Sequence, residues 1–152
     1  MRAILIDPFN QTVTEITVAK KSNPAIYAAL SPDPAFKVDC FTVLQLDDDV
    51  WAFGDDEGFL KEGNACFQLR GYPTPLAGAW LLLGGNDEGD SVDLPARVQA
   101  AYIRDRSITW LTGKATGDFG PSREEVIDHP VMGKVPAFIG GAPILREPDA
   151  EA

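Results

Sequence analysis

Acidic side chains offer the most chemistry in this sequence, and they gather in three short groups. These are Asp47, Asp48 and Asp49; Asp55, Asp56 and Glu57 in the tetrad DDEG; and Asp87, Glu88 and Asp90 around its near copy NDEG. Carboxylates this close could hold a divalent cation, act as a general acid and base, or present a negative surface. A calcium loop of the EF-hand type needs carboxylates at alternate positions, a mid-loop glycine and a closing glutamate. In GDDEGFLKEGN the acids are consecutive, so on a turn they cannot all converge on one ion. Transition metals find less: one histidine and two widely separated cysteines give no short-spaced ligand set. The sequence therefore predicts no metal site and no cofactor.

Catalytic constellations are absent in the same way. Asp128 and His129 are neighbours in IDHPV, but no GxSxG elbow or activated cysteine stands ready as their nucleophile. His129 precedes Pro130, where a helix must end, so its expected role is a helix C-terminal cap. Carboxylates in exposed turns keep ordinary acidity and make poor general acids. The glycines of LLLGGNDEGD are followed by acid where a phosphate cradle needs lysine and free N–H groups, and neither GxxxxGK[ST] nor GxGxxG occurs. No catalytic residue is assigned, and the expectation is a protein that is not an enzyme. One loop, RGYPTP, keeps a second possibility open: Arg70 beside Tyr72 could bind a small molecule or a substrate. The plainer reading has Tyr72 closing over the core.

The elements that must position these groups follow from periodicity and punctuation. RAILID and TVTEITV read as a hairpin, the first strand covered on both faces. Ser22 or Asn23 with Pro24 opens a short helix bearing Ile26, Tyr27 and Leu30, and Pro32 ends it. FKVDCFTVLQL, VWAF and the FL after DDEG then read as a meander whose turns are the acidic groups. A strand over Cys66 to Leu69, an extended proline-rich loop from Gly71 to Gly78 and the apolar strand AWLLLGG come next, with NDEG as a hairpin tip before the return SVDL. Asp93 is expected to cap a helix through PARVQAAYIR; ITWL is a short strand. Ser122 and Glu125 form a capping box for a helix SREEVIDH. VPAFIGG is the last extended segment. The predicted fold is α+β: a mostly antiparallel sheet of hairpins with two or three short helices packed on it. A single domain over 1–141 is expected, with a flexible acidic tail over 142–152.

Net charge is −10, and its placement is uneven. Between Asp33 and Asp93, 13 acidic residues face only Lys37, Lys61 and Arg70, so this stretch carries the entire excess; the remainder is balanced, with ten residues of each sign. Nucleic acid and anionic membranes both select a basic footprint, so neither is an expected direct partner. A protein with a basic surface is. No signal-peptide core or membrane-length apolar run occurs, and the expected location is the cytoplasm. Cys40 and Cys66 lie in apolar, strand-like sequence and are expected to be buried, reduced thiols.

The ordered set RAILIDP, WAFGDDEGFL and PLAGAWLLLGGNDEGDSVDLP resembles the domain of unknown function 3846, a family of small proteins found mainly on bacteriophages, plasmids and their bacterial hosts. The positions that carry the likeness are Asp56, Glu57 and Gly58, then Ala77, Gly78, Leu82, Leu83 and Gly84, then Glu88 and Gly89. The resemblance spans roughly residues 1–105 and leaves 106–141 as a C-terminal extension. It implies a mobile-element setting and no catalytic residue. Three expectations about function follow. The first is a non-enzymatic acidic accessory protein of a phage or plasmid that binds a host or self-encoded protein through the acidic groups. The second is an acidic DNA mimic that inhibits a host nuclease or another DNA-binding protein. The third is a small-molecule binder or enzyme using the Arg70–Tyr72 loop.

Overall fold

Six consecutive buried residues, WLLLGG, form the central strand of the computed structural model, which describes residues 1–148. In chain order the elements are β1 (Arg2–Asp7), β2 (Thr12–Thr17), α1 (Asn23–Leu30), β3 (Phe41–Asp47), β4 (Val50–Asp55), β5 (Ala65–Leu69), β6 (Leu76–Ala77), β7 (Trp80–Gly85), β8 (Ser91–Val92), α2 (Ala100–Arg106), β9 (Ile108–Phe119), β10 (Arg123–His129), β11 (Gly133–Ile139) and β12 (Pro143–Arg146). All strand pairings are antiparallel. The expected single sheet is three. A large sheet runs β2-β1-β7-β4-β3 with β8 also on β7, a second runs β12-β9-β5-β6, and β10 and β11 form a hairpin of their own.

The large sheet is covered on both faces. On one, Ala3, Phe53, Leu81 and Leu83 pack with Ile26 and Leu30 of α1. On the other, Ile4, Ile6, Ala52, Trp80 and Leu82 meet Phe67 and Leu76 of the second sheet and Ile103 of α2. Helix α1 forms as its sequence punctuation predicts: the Ser22 side chain accepts from the Ala25 N–H at 3.2 Å, and Pro24 sits in the first turn. The family-like part and the extension share the second sheet, since β9 pairs with β5 on one side and β12 on the other.

Several expectations change. The FL after DDEG is no strand; Gly58–Leu60 is a single 3₁₀ turn that carries the chain from the large sheet to the second. Asp93 caps no helix, because its carboxylate accepts the Arg2 N–H at 2.6 Å, and α2 starts seven residues later behind Gln99. The capping box at Ser122 is overridden: residues 123–129 are β10, each of them exposed and paired in register with β11 from Arg123↔Ile139 to His129↔Gly133. His129 therefore caps a hairpin turn rather than a helix, its Nδ1 accepting the N–H groups of Val131 and Met132 at 3.1 Å each. The segment expected to be a loose tail supplies β12; its residues 149–152 lie outside the described residues. Cys40 is exposed, while Cys66 is buried and burial pushes its thiol up to about 11.

Two tryptophans rest on glycines across β4 and β7. A Cβ on Gly54 would stand 2.1 Å from the Trp80 ring, and one on Gly85 would stand 2.1 Å from the Trp51 ring. Trp80 is 4 % exposed, and its indole N–H donates to the Ala77 carbonyl at 3.2 Å, so it has nowhere to go. Trp51 is half-buried and can swing outward. Gly54→Ala is accordingly expected to cost about 2–3 kcal/mol and Gly85→Ala about 1 kcal/mol, within the range for overpacking. The urea midpoints, at unchanged slope, check the order.

Candidate functional site: two acidic turns and an apolar cleft

The pairing of β4 with β7 decides where the acidic groups lie. Val50 faces Gly84 and Phe53 faces Leu81, so the end of β7 lies beside the start of β4. The β3–β4 turn, with Asp47, Asp48 and Asp49, and the β7–β8 turn, with Asp87, Glu88 and Asp90, thus share one end of the large sheet. The Gly85 N–H donates to the Asp49 carbonyl at 3.1 Å. The β7–β8 turn is folded around Asn86, whose side-chain oxygen accepts from the N–H groups of Glu88 and Asp90 at 3.1 and 2.9 Å. Gly89 closes this turn at φ +82, a conformation that favours glycine. Two of the six carboxylates are already occupied. The Arg97 guanidinium grips Asp49 in a two-pronged pair, one contact at 2.8 Å, and reaches Asp47 at 3.4 Å. Asp48, Asp87, Glu88 and Asp90 are exposed and take no ion pair among the described residues.

DDEG sits at the opposite end, after β4 rather than after β7. Asp55 is not part of any surface. Its carboxylate is buried, paired with the Lys61 ammonium, and accepts the Glu57 N–H at 3.0 Å, which shapes the crossover. Lys61 also donates to the Lys37 carbonyl at 2.7 Å and so fastens the crossover to the lead-in of β3. Asp56 and Glu57 are exposed. Gly58 has no positive φ; a Cβ there would crowd the Ala77 carbonyl oxygen at 3.0 Å. The sequence echo therefore joins two unlike objects, a hairpin tip and a crossover between sheets that is anchored by one buried carboxylate.

Arg70 and Tyr72 do come together at a cavity. Tyr72 is half-buried against the core, as the plainer sequence reading has it. Beside it a cleft of about 380 Å³ is lined by Leu46, Val50, Leu69, Leu82, Val98 and Ile103, with Arg70, Gly71, Tyr72 and Ser107 completing it. Arg70 is exposed and makes no ion pair among the described residues. Residues that sequence reasoning did not single out build this region. The Gln68 amide holds the 69–74 loop by donating to the carbonyls of Tyr72, Leu69 and Thr74 at 2.8, 3.2 and 3.3 Å. The Arg2 guanidinium donates to the carbonyls of Leu94, Pro95 and Val98 at 3.1, 3.0 and 2.6 Å and pairs with Glu15. The Arg2 role is not visible from sequence spacing, since it acts on carbonyls more than 90 positions away, whereas the Gln68 contacts lie within six residues.

Among the described residues, no group of three or more His, Cys, Asp or Glu side chains is arranged to hold a metal ion, and no helix is long and apolar enough to cross a membrane. Comparison with protein-family models, curated proteins and solved structures gave no match to this chain.

Two outcomes test the acidic groups. The Arg97 hydrogen bond beside it holds the Asp49 carboxyl below the usual carboxylate value, so its contribution to stability is present above the unfolded-state pKa and lost as pH falls through the folded one. Arg97→Gln is expected to raise the Asp49 titration midpoint, read from its side-chain carboxyl NMR shift, and to flatten the acid-side decline in stability. Asp55→Asn leaves the Lys61 ammonium without its buried partner. Lys61 is partly exposed and can turn to water, so the expected loss is about 2 kcal/mol in urea unfolding, below the figure for a fully buried pair.

Proposed function

We propose that this chain is a non-enzymatic accessory protein of a phage or plasmid, working in the cytoplasm by binding a protein with a basic surface. The observation that carries the reading is the convergence of the β3–β4 and β7–β8 turns at one end of the large sheet, which leaves Asp48, Asp87, Glu88 and Asp90 free and pointed at solvent. Lys20 and Lys21 line a cavity shared with Asp90, but the four carboxylates outnumber them, and an excess of negative charge at a sheet end steers a basic partner and fixes its orientation. The resemblance to the domain of unknown function 3846 supports the mobile-element setting. A mimic of DNA needs carboxylates in a continuous phosphate-like row. Two features favour a compact protein contact instead: Asp55 is buried, and the other exposed pair, Asp56 and Glu57, lies at the far end of the sheet.

The β10–β11 hairpin adds a second surface suited to protein contact. It has no other element packed extensively against it, and Val126, Val131, Met132 and Phe138 are all more than two-thirds exposed. Affinity capture from host lysate at low and high salt, followed by identification of the retained proteins, tests the proposal. The expected partner has a basic surface patch and is lost at high salt. Capture is also expected to fall about tenfold when Asp48→Asn, Asp87→Asn, Glu88→Gln and Asp90→Asn are combined. If the same partner survives both the salt and the combined variant but is lost on Phe138→Ser, the contact belongs to the hairpin and the acidic reading fails.

A further inference from the structure

The geometry points to a binding site for a small carboxylate with an apolar body in the cleft beneath the Arg70–Tyr72 loop, independent of the acidic sheet end. The floor is core: Val50, Leu82 and Ile103 are each at most 7 % exposed yet line the cleft together with Leu46, Leu69 and Val98. An apolar hollow of about 380 Å³ is of ligand size. It admits an aliphatic or aromatic group on its floor, while Arg70, Tyr72 and Ser107 bring polar atoms to its lining.

Charge selects the head group. Of the three basic residues in the acidic middle of the chain, Lys61 is spent on Asp55, whereas Arg70 lines the cleft and makes no ion pair among the described residues. In a chain of net charge −10, a guanidinium that pairs with none of the described acids attracts an anion, and its planar fork matches a carboxylate. The loop that carries it is ordered before any ligand arrives. The Arg70 N–H donates to the Ser107 carbonyl at 2.8 Å, the Tyr72 N–H to the Leu69 carbonyl at 3.0 Å, and Gln68 ties the carbonyls that follow. Pre-ordering of this kind lowers the entropic cost of binding. The opposite wall is equally fixed: Val98 is anchored through its carbonyl by Arg2, and its neighbour Arg97 by Asp49 and Asp47.

Octanoate, octan-1-ol and octyltrimethylammonium, titrated separately into the full chain with amide chemical-shift mapping, test the site. Octanoate is expected to give saturable shifts at Leu69, Gly71, Val98 and Ser107, and to bind about tenfold more tightly than octan-1-ol, the difference one charge-assisted contact supplies. Octyltrimethylammonium is expected to give no saturable shifts at these residues. Arg70→Gln should bring octanoate down to the level of octan-1-ol and leave the alcohol unchanged. Val98→Trp, or Leu46→Trp if the first variant does not fold, should fill the hollow and abolish both. Equal affinity for acid and alcohol, insensitivity to Arg70→Gln, or shifts that map elsewhere would overturn the assignment. Because none of these residues belongs to the free carboxylates of the sheet end, a failure here leaves the protein-binding proposal standing.

Discussion

A strand buried on both faces has to be paired on both edges and covered on both sides, and β7 imposes that demand on everything around it. Its six residues carry only apolar side chains or none, apart from the Trp80 indole N–H, so its backbone groups pair laterally with β1, β4 and β8. One face then draws in α1 and the other draws in the second sheet with α2. The register follows from the same burial. Slipping β4 by one residue against β7 would take Gly54 from beneath the Trp80 ring and Trp51 from above Gly85, so Val50↔Gly84 is fixed, and with it the adjacency of the two acidic turns. The glycines at its end matter for the same reason. A Cβ on Gly84 would stand 2.2 Å from the Asp93 carbonyl oxygen, so only glycine lets the chain return this close.

What the sequence shows and what it hides can be traced to the range of the forces involved. The β1–β2 hairpin, α1 and β7 were legible because local pattern and tertiary environment agree: Ser22 and Pro24 mark a helix start that packing also wants, and WLLLGG reads as buried because it is. The helix expected at 122–129 failed where they disagree. Ser122 and Glu125 offer a local capping bond worth little, while Val126 and Ile127 are β-branched and find partners across the hairpin in Pro136 and Val135. Asp93 failed as a cap for a different reason, since a residue 91 positions earlier claims its carboxylate. Of the candidate site residues, Asp47 to Asp49, Asp87, Glu88 and Asp90 sit on turns as their composition indicated, because hairpin tips need residues that tolerate water and tight backbone. Asp55 did not, since nothing in DDEG reveals that Lys61 will fold back onto its first carboxylate. Arg70 and Tyr72 were legible as a loop, but the hollow beneath them is made by β4, β7 and α2, which no local pattern brings together.

Excess charge is handled unevenly across the molecule, and the unevenness is informative. Two basic side chains do structural work on distant backbone or buried acid, Arg2 on the 94–98 segment and Lys61 on Asp55, and Arg97 pairs with the exposed carboxylates of the β3–β4 turn. Exposed pairs such as Arg104 with Asp105, next to each other in sequence, contribute little to stability by comparison. After these commitments the acidic middle keeps four exposed carboxylates at one sheet end, on the β7–β8 turn and Asp48, with Asp56 and Glu57 exposed at the other. Arg70 remains as a positive point at the edge of an apolar hollow.

That hollow persists because closing it would cost more than it returns. Its floor is apolar, so collapse of the 69–74 loop or the 94–98 segment onto Val50, Leu82 and Ile103 would bury further hydrocarbon. Both walls, however, are fastened by polar bonds that collapse would break. Gln68 donates to three carbonyls of one wall; Arg2 donates to three carbonyls of the other, and Arg97 locks it to two carboxylates. A buried or half-buried donor torn from its acceptor loses more than a methylene gains on burial, and charged donors lose most. Apolar attraction builds the core of this fold, and hydrogen bonds from Gln68 and Arg2 stop that attraction from filling the cleft.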